Sequence, residues 1–241
     1  KLEVISGDIR DYNFCKKISN NVDVIFHLAA LIAIPYSYHS PRSYIETNVI
    51  GTLNLCEALK ENKLERLINL STSEVYGTAK YVPIDENHPL QPQSPYSASK
   101  IGAESIATSY YNSFNLPITT VRPFNVYGPR QSARAIIPSL IIQMIANKEY
   151  LEVGNLSPTR DYTFVEDTCK GLISISNEES LIGKIINLGS ETEISIEDII
   201  NKLKFILGSD IKTKIDKQRI KVAINKNLDA LSGSLAILFS W

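Results

Sequence analysis

Short, continuous apolar runs alternate along this chain with longer stretches in which apolar residues recur every three or four positions. The runs are VDVIFHLAA (22–30), RLINLS (66–71) and LPITTVRP (116–123), and the amphipathic stretches between them predict helices over about Pro41 to Asn62 and Pro95 to Phe114. Apolar strands separated by helices of that length predict a parallel sheet covered on both faces, an α/β doubly wound arrangement. Function in such sheets lies at the carboxyl ends of the strands.

After Gly128 the pattern loosens. It predicts a helix in AIIPSLIIQMIANK, a strand in EYLEVG, a strand then a helix in RDYTFVEDTCKGLISIS, a strand in KIINLGS and a helix in SIEDIINKLKFIL. Ser195 suits the N-cap of the last, with Asp198 in its first turn. These shorter elements predict a smaller second lobe: 1–128 forms the main domain, 161–190 partly returns to it, and 129–160 with 191–241 forms the lobe. No internal repeat or low-complexity segment interrupts the chain.

The stretch STSEVYG (71–77) places two hydroxyls and a carboxylate, Thr72, Ser73 and Glu74, where the run RLINL ends. Polar groups at that position point to chemistry. A tyrosine followed four residues later by a lysine is the pairing that short-chain dehydrogenases use to make a phenol serve as a base, the ammonium and the nearby cofactor lowering its pKa from about 10. Tyr12–Lys16, Tyr76–Lys80 and Tyr96–Lys100 all have this spacing. Context selects Tyr96 and Lys100: Pro95 suits a first helical turn, and the i, i+4 pair then shares one face.

Composition narrows the classes. The 241 residues suffice for one large domain or two small ones, with 44% hydrophobic and 21% charged residues, as in an ordinary globular protein. A net charge of −1 gives no general reason to expect nucleic acid or an anionic membrane as partner. Cys15, Cys56 and Cys169 are far apart, and His27, His39 and His88 show no ligand spacing, so no metal site is expected and the histidines read as packing or surface residues. No run approaches a membrane span, and a cytoplasmic setting is expected.

The motifs GDIRD, FHLAA, TNVIGTLNLCEA, STSEVYG, YSASK and RPFNVYGPR occur in the order seen in extended short-chain dehydrogenases acting on nucleotide sugars, which this chain resembles from about Gly7 to Asp167. ALIAIPYSY, GPRQSARAIIPSLI and SPTRDYTFVEDT look more narrowly like the NAD-dependent 4,6-dehydratases of the legionaminic-acid pathway, which act on a nucleotide-linked N-acetylglucosamine. The resemblance implies a Rossmann-like fold, NAD as cofactor and a nucleotide sugar as substrate. It implies that Asp8 and Ile9 line the adenine pocket, that Leu28, Ala29 and Ala30 run under the phosphates and ribose, and that Lys100 also holds the nicotinamide ribose. Pro123 and Phe124 would flank the nicotinamide, while Asn125, Arg130 and Arg160 would hold the sugar nucleotide, a task that suits the planar guanidinium fork. The plainer readings are that Asp8 caps a short helix beginning near Asp11 and that the two arginines are surface charges. Asn48 reads as structural support. The resemblance also implies a homodimer through a four-helix bundle formed by the helices at 41–62 and 95–114.

Glu74 divides the functional readings. A 4-epimerase needs a hydroxyl near Tyr96 but has no demand for a carboxylate two residues after Thr72. In a 4,6-dehydratase that carboxylate removes the C5 proton once C4 has become a ketone. Ser73 stands where many such enzymes carry an acid, so a relay through Ser73 or a water is expected. The alternatives are a 4-epimerase, a decarboxylase of a UDP-sugar acid, a structural Glu74, and an inactive remnant. The chain starts at KLEVISGDIRD, without Met, and none of its 11 glycines forms the glycine-rich turn of a dinucleotide fold. The expectation is therefore a domain lacking its first strand and that loop, on the order of 50 residues, and binding NAD weakly by itself. The closing NKNLDALSGSLAILFSW is apolar and unlike the family.

Overall fold

The computed structural model describes residues 2–60, 64–146 and 149–216. In chain order these hold α1 (Tyr12–Ile18), β1 (Val24–His27), α2 (Ile34–Ser37), α3 (Pro41–Tyr44), a π-helical segment (Ile45–Ile50), α4 (Gly51–Leu59), β2 (Arg66–Leu70), a 3-10 turn (Ser73–Tyr76), α5 (Pro95–Phe114) and β3 (Ile118–Pro123). There follow β4 (Asn125–Tyr127), α6 (Ile136–Ile145), β5 (Tyr150–Val153), β6 (Thr159–Phe164), α7 (Val165–Asn177), β7 (Ile185–Leu188), β8 (Glu193–Ser195), α8 (Ile196–Leu207) and β9 (Lys212–Ile215). The predicted end of the first long helix at Asn62 and the apolar stretch 225–241 lie outside the described residues. Among the described residues no helix is long and apolar enough to cross a membrane.

The chain divides into two compact units. The first takes the described residues up to Gly77 with Pro89–Pro123 and Lys170–Asn187; the second takes Thr78–His88, Phe124–Cys169 and the described residues from Leu188 on. The segment Thr78–His88 thus groups with the second unit.

The first unit is built on a sheet of order β1-β2-β3-β7, with β1/β2 and β2/β3 parallel. Parallel pairing explains why RLINL reads as an unbroken apolar run: Arg66 to Asn69 are all buried, covered from both sides. The core joins Leu67 and Ile118 of the sheet to Leu55, Cys56 and Leu59 of α4 and Ala107 and Tyr110 of α5. Burial of each leucine or isoleucine contributes about 1.5–3 kcal/mol.

α5 runs Pro95–Phe114 as the sequence predicts, because both ends are specified. Ser94 accepts from the Ser97 N–H and Ser97 reciprocates in a capping box, Pro95 takes the first turn, and Asn115 stops the helix at φ 54°. Gly102 lets α5 approach the π-helical segment: a Cβ there would stand 3.1 Å from Val49 Cγ2.

The second unit has a β4-β6-β8 sheet and a separate parallel β5-β9 pair. Its core gathers Leu140 and Met144 of α6, Leu151 and Val153 of β5, and Ile199 and Ile200 of α8. Ser195 caps α8 in a capping box with Asp198, as expected from that spacing.

Candidate active site

At the end of β2 the chain is fixed by its own side chains. Thr72 is extended (φ −163°), and its Oγ1 accepts the Glu74 N–H at 3.2 Å, capping the 3-10 turn that follows. Gly77 ends the turn at φ +62°, where a Cβ would stand 2.3 Å from the Gln91 carbonyl oxygen, so only glycine fits. Val75 and Tyr76 turn into the core, which leaves Ser73 and Glu74 half-buried at the strand's carboxyl end. The hydroxyl at 72 therefore has a local structural task in addition to any chemical one.

Tyr96 and Lys100 lie on the buried face of the first turns of α5, at 7% and 6% exposure. Burial pushes the Tyr96 phenol up to about 12; hydrogen bonding with Thr72 acts against this, and the Glu74 carboxylate and Tyr44 add to it. Lys100 is not among the causes of this shift. The Lys100 ammonium instead donates to the Leu70 carbonyl at 2.5 Å, and the phenol responds to its burial and to a carboxylate. Burial also lowers Lys100 to about 8, with Glu104 opposing.

The other two spacings separate. Tyr76 is fully buried, donates to Asn187 Oδ1 at 2.5 Å and accepts from Arg122 Nη1 at 2.9 Å, so its hydroxyl is committed. Tyr12 is 39% exposed on α1. Of the histidines, His88 is buried and its Nε2 accepts the Lys80 N–H at 2.8 Å, and His39 is exposed.

His27, at the end of β1, is buried with Nε2 2.9 Å from Thr52 Oγ1, whose own proton goes to the Asn48 carbonyl at 2.7 Å. That leaves Nε2 as the protonated nitrogen, an assignment from the network. Burial, then the nearby Lys100 charge, lowers His27 from 6.5 to about 4. The unfolded chain therefore binds the proton first as pH falls, so this contribution is fully present above pH 6.5 and is lost progressively toward pH 4. The separation is worth up to about 3 kcal/mol. Denaturant unfolding should show stability falling across that window, with His27→Gln flattening the profile; an equal slope in both proteins would refute it.

Asn48, read from the sequence as support, sits in the π-helical segment and ties three places together. It accepts from the Leu31 N–H at 2.8 Å, donates to the Leu31 carbonyl at 3.0 Å and donates to Ser99 Oγ at 2.8 Å. The loop after β1 is thereby held to α5. Leu28 and Ala29 are exposed and Ala30 half-buried on that loop. Asp8 does not cap α1: Asp11 does, accepting from Asn13 and Phe14 N–H groups, while Asp8 pairs with Arg10 at 2.6 Å and is held at about 2. Ile9 is half-buried against the core.

Two features of the first unit suit a dinucleotide. Ser71 Oγ is buried at the end of β2 without a hydrogen-bond partner. Lys100 uses one of its three donors on Leu70; the others suit ribose hydroxyls.

Pro123 ends β3, half-buried. In the second unit, Phe124 is buried, with its N–H on the Leu188 carbonyl at 2.9 Å, and Asn125 opens β4, half-buried. Arg130 is exposed at φ +67°, a left-handed conformation costing a non-glycine residue about 1–2 kcal/mol. Arg160, half-buried on β6, donates to the Thr159 carbonyl at 2.7 Å. Next to it, Asp161 is buried and accepts from the Ser190 and Glu191 N–H groups and the Ser190 hydroxyl.

Sequence reasoning missed Tyr44, Glu104, Arg122 and Asn187. Tyr44 meets the Tyr96 ring edge-on at 6.2 Å and donates to the Ala33 carbonyl at 2.5 Å. Arg122 is 2% exposed and forms a two-point ion pair with Glu104, at 2.9 Å and 2.7 Å. Glu104 follows Lys100 by one turn and Arg122 is a charge inside an apolar strand, so both carried a signal; Asn187 carried none.

A family model described as GDP-mannose 4,6 dehydratase matches residues 1–232. The chain is 35% identical over 210 residues to a dTDP-D-glucose 4,6-dehydratase of Dictyostelium discoideum, covering 82% of this chain and 48% of that protein. It is 31% identical over 224 residues to a putative UDP-glucose 4-epimerase of Methanocaldococcus jannaschii, covering 91% and 72%. It thus spans about half the length of the Dictyostelium relative. Among solved structures it is similar to a Streptomyces venezuelae dTDP-glucose 4,6-dehydratase with NAD bound, with TM-score 0.84, 28% identity and coverage of 95% and 70%. It is equally similar to a Methanobrevibacter ruminantium UDP-N-acetylglucosamine 4-epimerase in complex with UDP-N-acetylmuramic acid, with TM-score 0.85, 29% identity and coverage of 96% and 74%.

Proposed function

The chain belongs to the GDP-mannose 4,6 dehydratase family, and from that premise we propose that it serves as an NAD-dependent 4,6-dehydratase of a nucleotide-linked hexose, GDP- or UDP-N-acetylglucosamine. The observation that carries the reading is the meeting of Thr72, Glu74 and Tyr96: the buried phenol responds to both the hydroxyl and the carboxylate. In this reading bound NAD supplies hydride acceptance from C4 and its return at C6, so no redox equivalent is spent. Tyr96, bonded to Thr72, takes the C4 hydroxyl proton, and binding of cofactor must first bring down a phenol that stands at about 12. Glu74 takes the C5 proton, made acidic by the adjacent ketone, and Ser73 or a water relays a proton to the departing C6 hydroxyl. Lys100 holds the nicotinamide ribose. Pro123 and Phe124 flank the nicotinamide, Asp8 and Ile9 the adenine, and Leu28, Ala29 and Ala30 the phosphates and ribose. Asn125, Arg130 and Arg160 hold the nucleotide sugar.

A second reading, a 4-epimerase, is favoured by the resemblance to epimerases across 91% of this chain. Incubating the full-length protein with NAD and each nucleotide sugar and following the sugar's mass decides between them. Loss of one water is expected. A new isomer of unchanged mass would make the protein an epimerase, and loss of carbon dioxide a decarboxylase.

A further inference from the structure

Tyr96, Lys100 and Glu104 are spaced four residues apart and so share one face of α5. Glu104 is 4% exposed and is the one buried carboxylate of the first unit among the described residues. Both its oxygens accept from Arg122, through Nε at 2.9 Å and Nη2 at 2.7 Å. Arg122 in turn donates to the Tyr76 hydroxyl, which donates to Asn187, so the guanidinium is held from β3, the 3-10 turn and β7 together.

We infer that Glu104 is a positioning residue for Lys100: pinned by Arg122 one helical turn away, its carboxylate keeps the buried ammonium charged and directed at the carboxyl end of β2. This rests on the proposed role of Lys100 toward the nicotinamide ribose. A lysine this deeply buried, with a neutral carbonyl as its hydrogen-bond acceptor, sheds its proton unless an anion stands close. Burial lowers Lys100 to about 8, and Glu104 is the group that opposes it. The two-point contact with Arg122 fixes the carboxylate's position.

The remaining charged and titratable groups on elements packed against α5 do not replace it. Tyr36 of α2 and Arg42 of α3 are exposed, and Tyr44 of α3 is buried with its hydroxyl on Ala33. Glu46 of the π-helical segment faces Arg10, and Glu57 of α4 bonds Lys60 and the Tyr110 hydroxyl. The Cys56 thiol is pushed up to about 12 by burial. Glu74 lies half-buried beyond Thr72 and acts on Tyr96, while Tyr76 is bound to Arg122 and Asn187. His27 of β1 and the Lys100 charge disfavour one another.

The test is the titration of Lys100 by lysine side-chain NMR in the full-length protein, its signal assigned through Lys100→Arg. It needs neither cofactor nor substrate, so its outcome is separate from that of the proposed activity. In the wild type the midpoint should lie above neutrality; a midpoint below it would overturn the inference at once. Glu104→Gln should move the midpoint down by about one unit or more, and Glu104→Asp should restore part of the shift. Because Glu104→Gln leaves the buried guanidinium without its carboxylate, Glu104→Gln/Arg122→Met is measured beside it, and a smaller downward shift is expected, since a positive charge leaves with the negative one. An unchanged midpoint in folded Glu104→Gln, or a raised one in the double variant, means the pair only supports the fold and sinks the assignment.

Discussion

Glu74→Gln, in the full-length protein supplied with NAD and the nucleotide-linked N-acetylglucosamine, is expected to slow water loss by about a hundredfold to ten-thousandfold, the range for removing a positioned general base. The substitution keeps size and hydrogen bonding while removing the basic oxygen. Its backbone should hold, because the N–H of residue 74 is what Thr72 Oγ1 caps and that bond is independent of the side chain. Substrate binding should therefore stay near wild type while turnover falls, read as kcat dropping with little change in KM. One side effect has a fixed sign: the Glu74 charge raises the Tyr96 phenol, so its removal makes Tyr96 a slightly stronger acid and moves the ascending limb of the rate profile, which follows the base form of Tyr96, to lower pH. Water loss at close to the wild-type rate would strip Glu74 of its role.

Asp161→Asn is expected to destabilise the second unit by about 1–3 kcal/mol, the cost of leaving a buried donor without its acceptor. The carboxylate accepts from Ser190 N–H at 2.8 Å, Ser190 Oγ at 2.6 Å and Glu191 N–H at 2.9 Å. An amide group cannot satisfy all these donors, since one of its ends is itself a donor. Glu191, held at φ +57°, loses the anchor that maintains this conformation. Urea unfolding followed by a probe in the second unit checks this; a loss below 1 kcal/mol would mean that the loop finds other acceptors.

The sheet and its helices were legible because each depends on local information. RLINL and LPITTVRP are largely apolar runs, and Ser94-Pro95 and Ser195 with Asp198 carry their capping chemistry within one turn of sequence. The Tyr96–Lys100 pair was legible for the same reason, being one turn of one helix. The acceptor of Lys100 was not, because the Leu70 carbonyl belongs to another element. The plainer alternative for Asp8, a helix cap, falls away because Asp11 stands next to the helix and caps it, while Asp8 pairs with Arg10. Arg122, Glu104, Tyr76 and Asn187 come from β3, α5, the 3-10 turn and β7. Only the fold makes neighbours of them.

The strand order β1-β2-β3-β7 also sets a timetable. After β3 is made, residues 124–184 must leave the ribosome before β7 can join, a wait on the order of seconds at ordinary elongation rates. Until then β3 has an unpaired edge, and Tyr76 and Arg122 lack the Asn187 that completes their network. The nascent first unit is thus an open-edged sheet that a chaperone would have reason to hold, and its closure is a late event of synthesis.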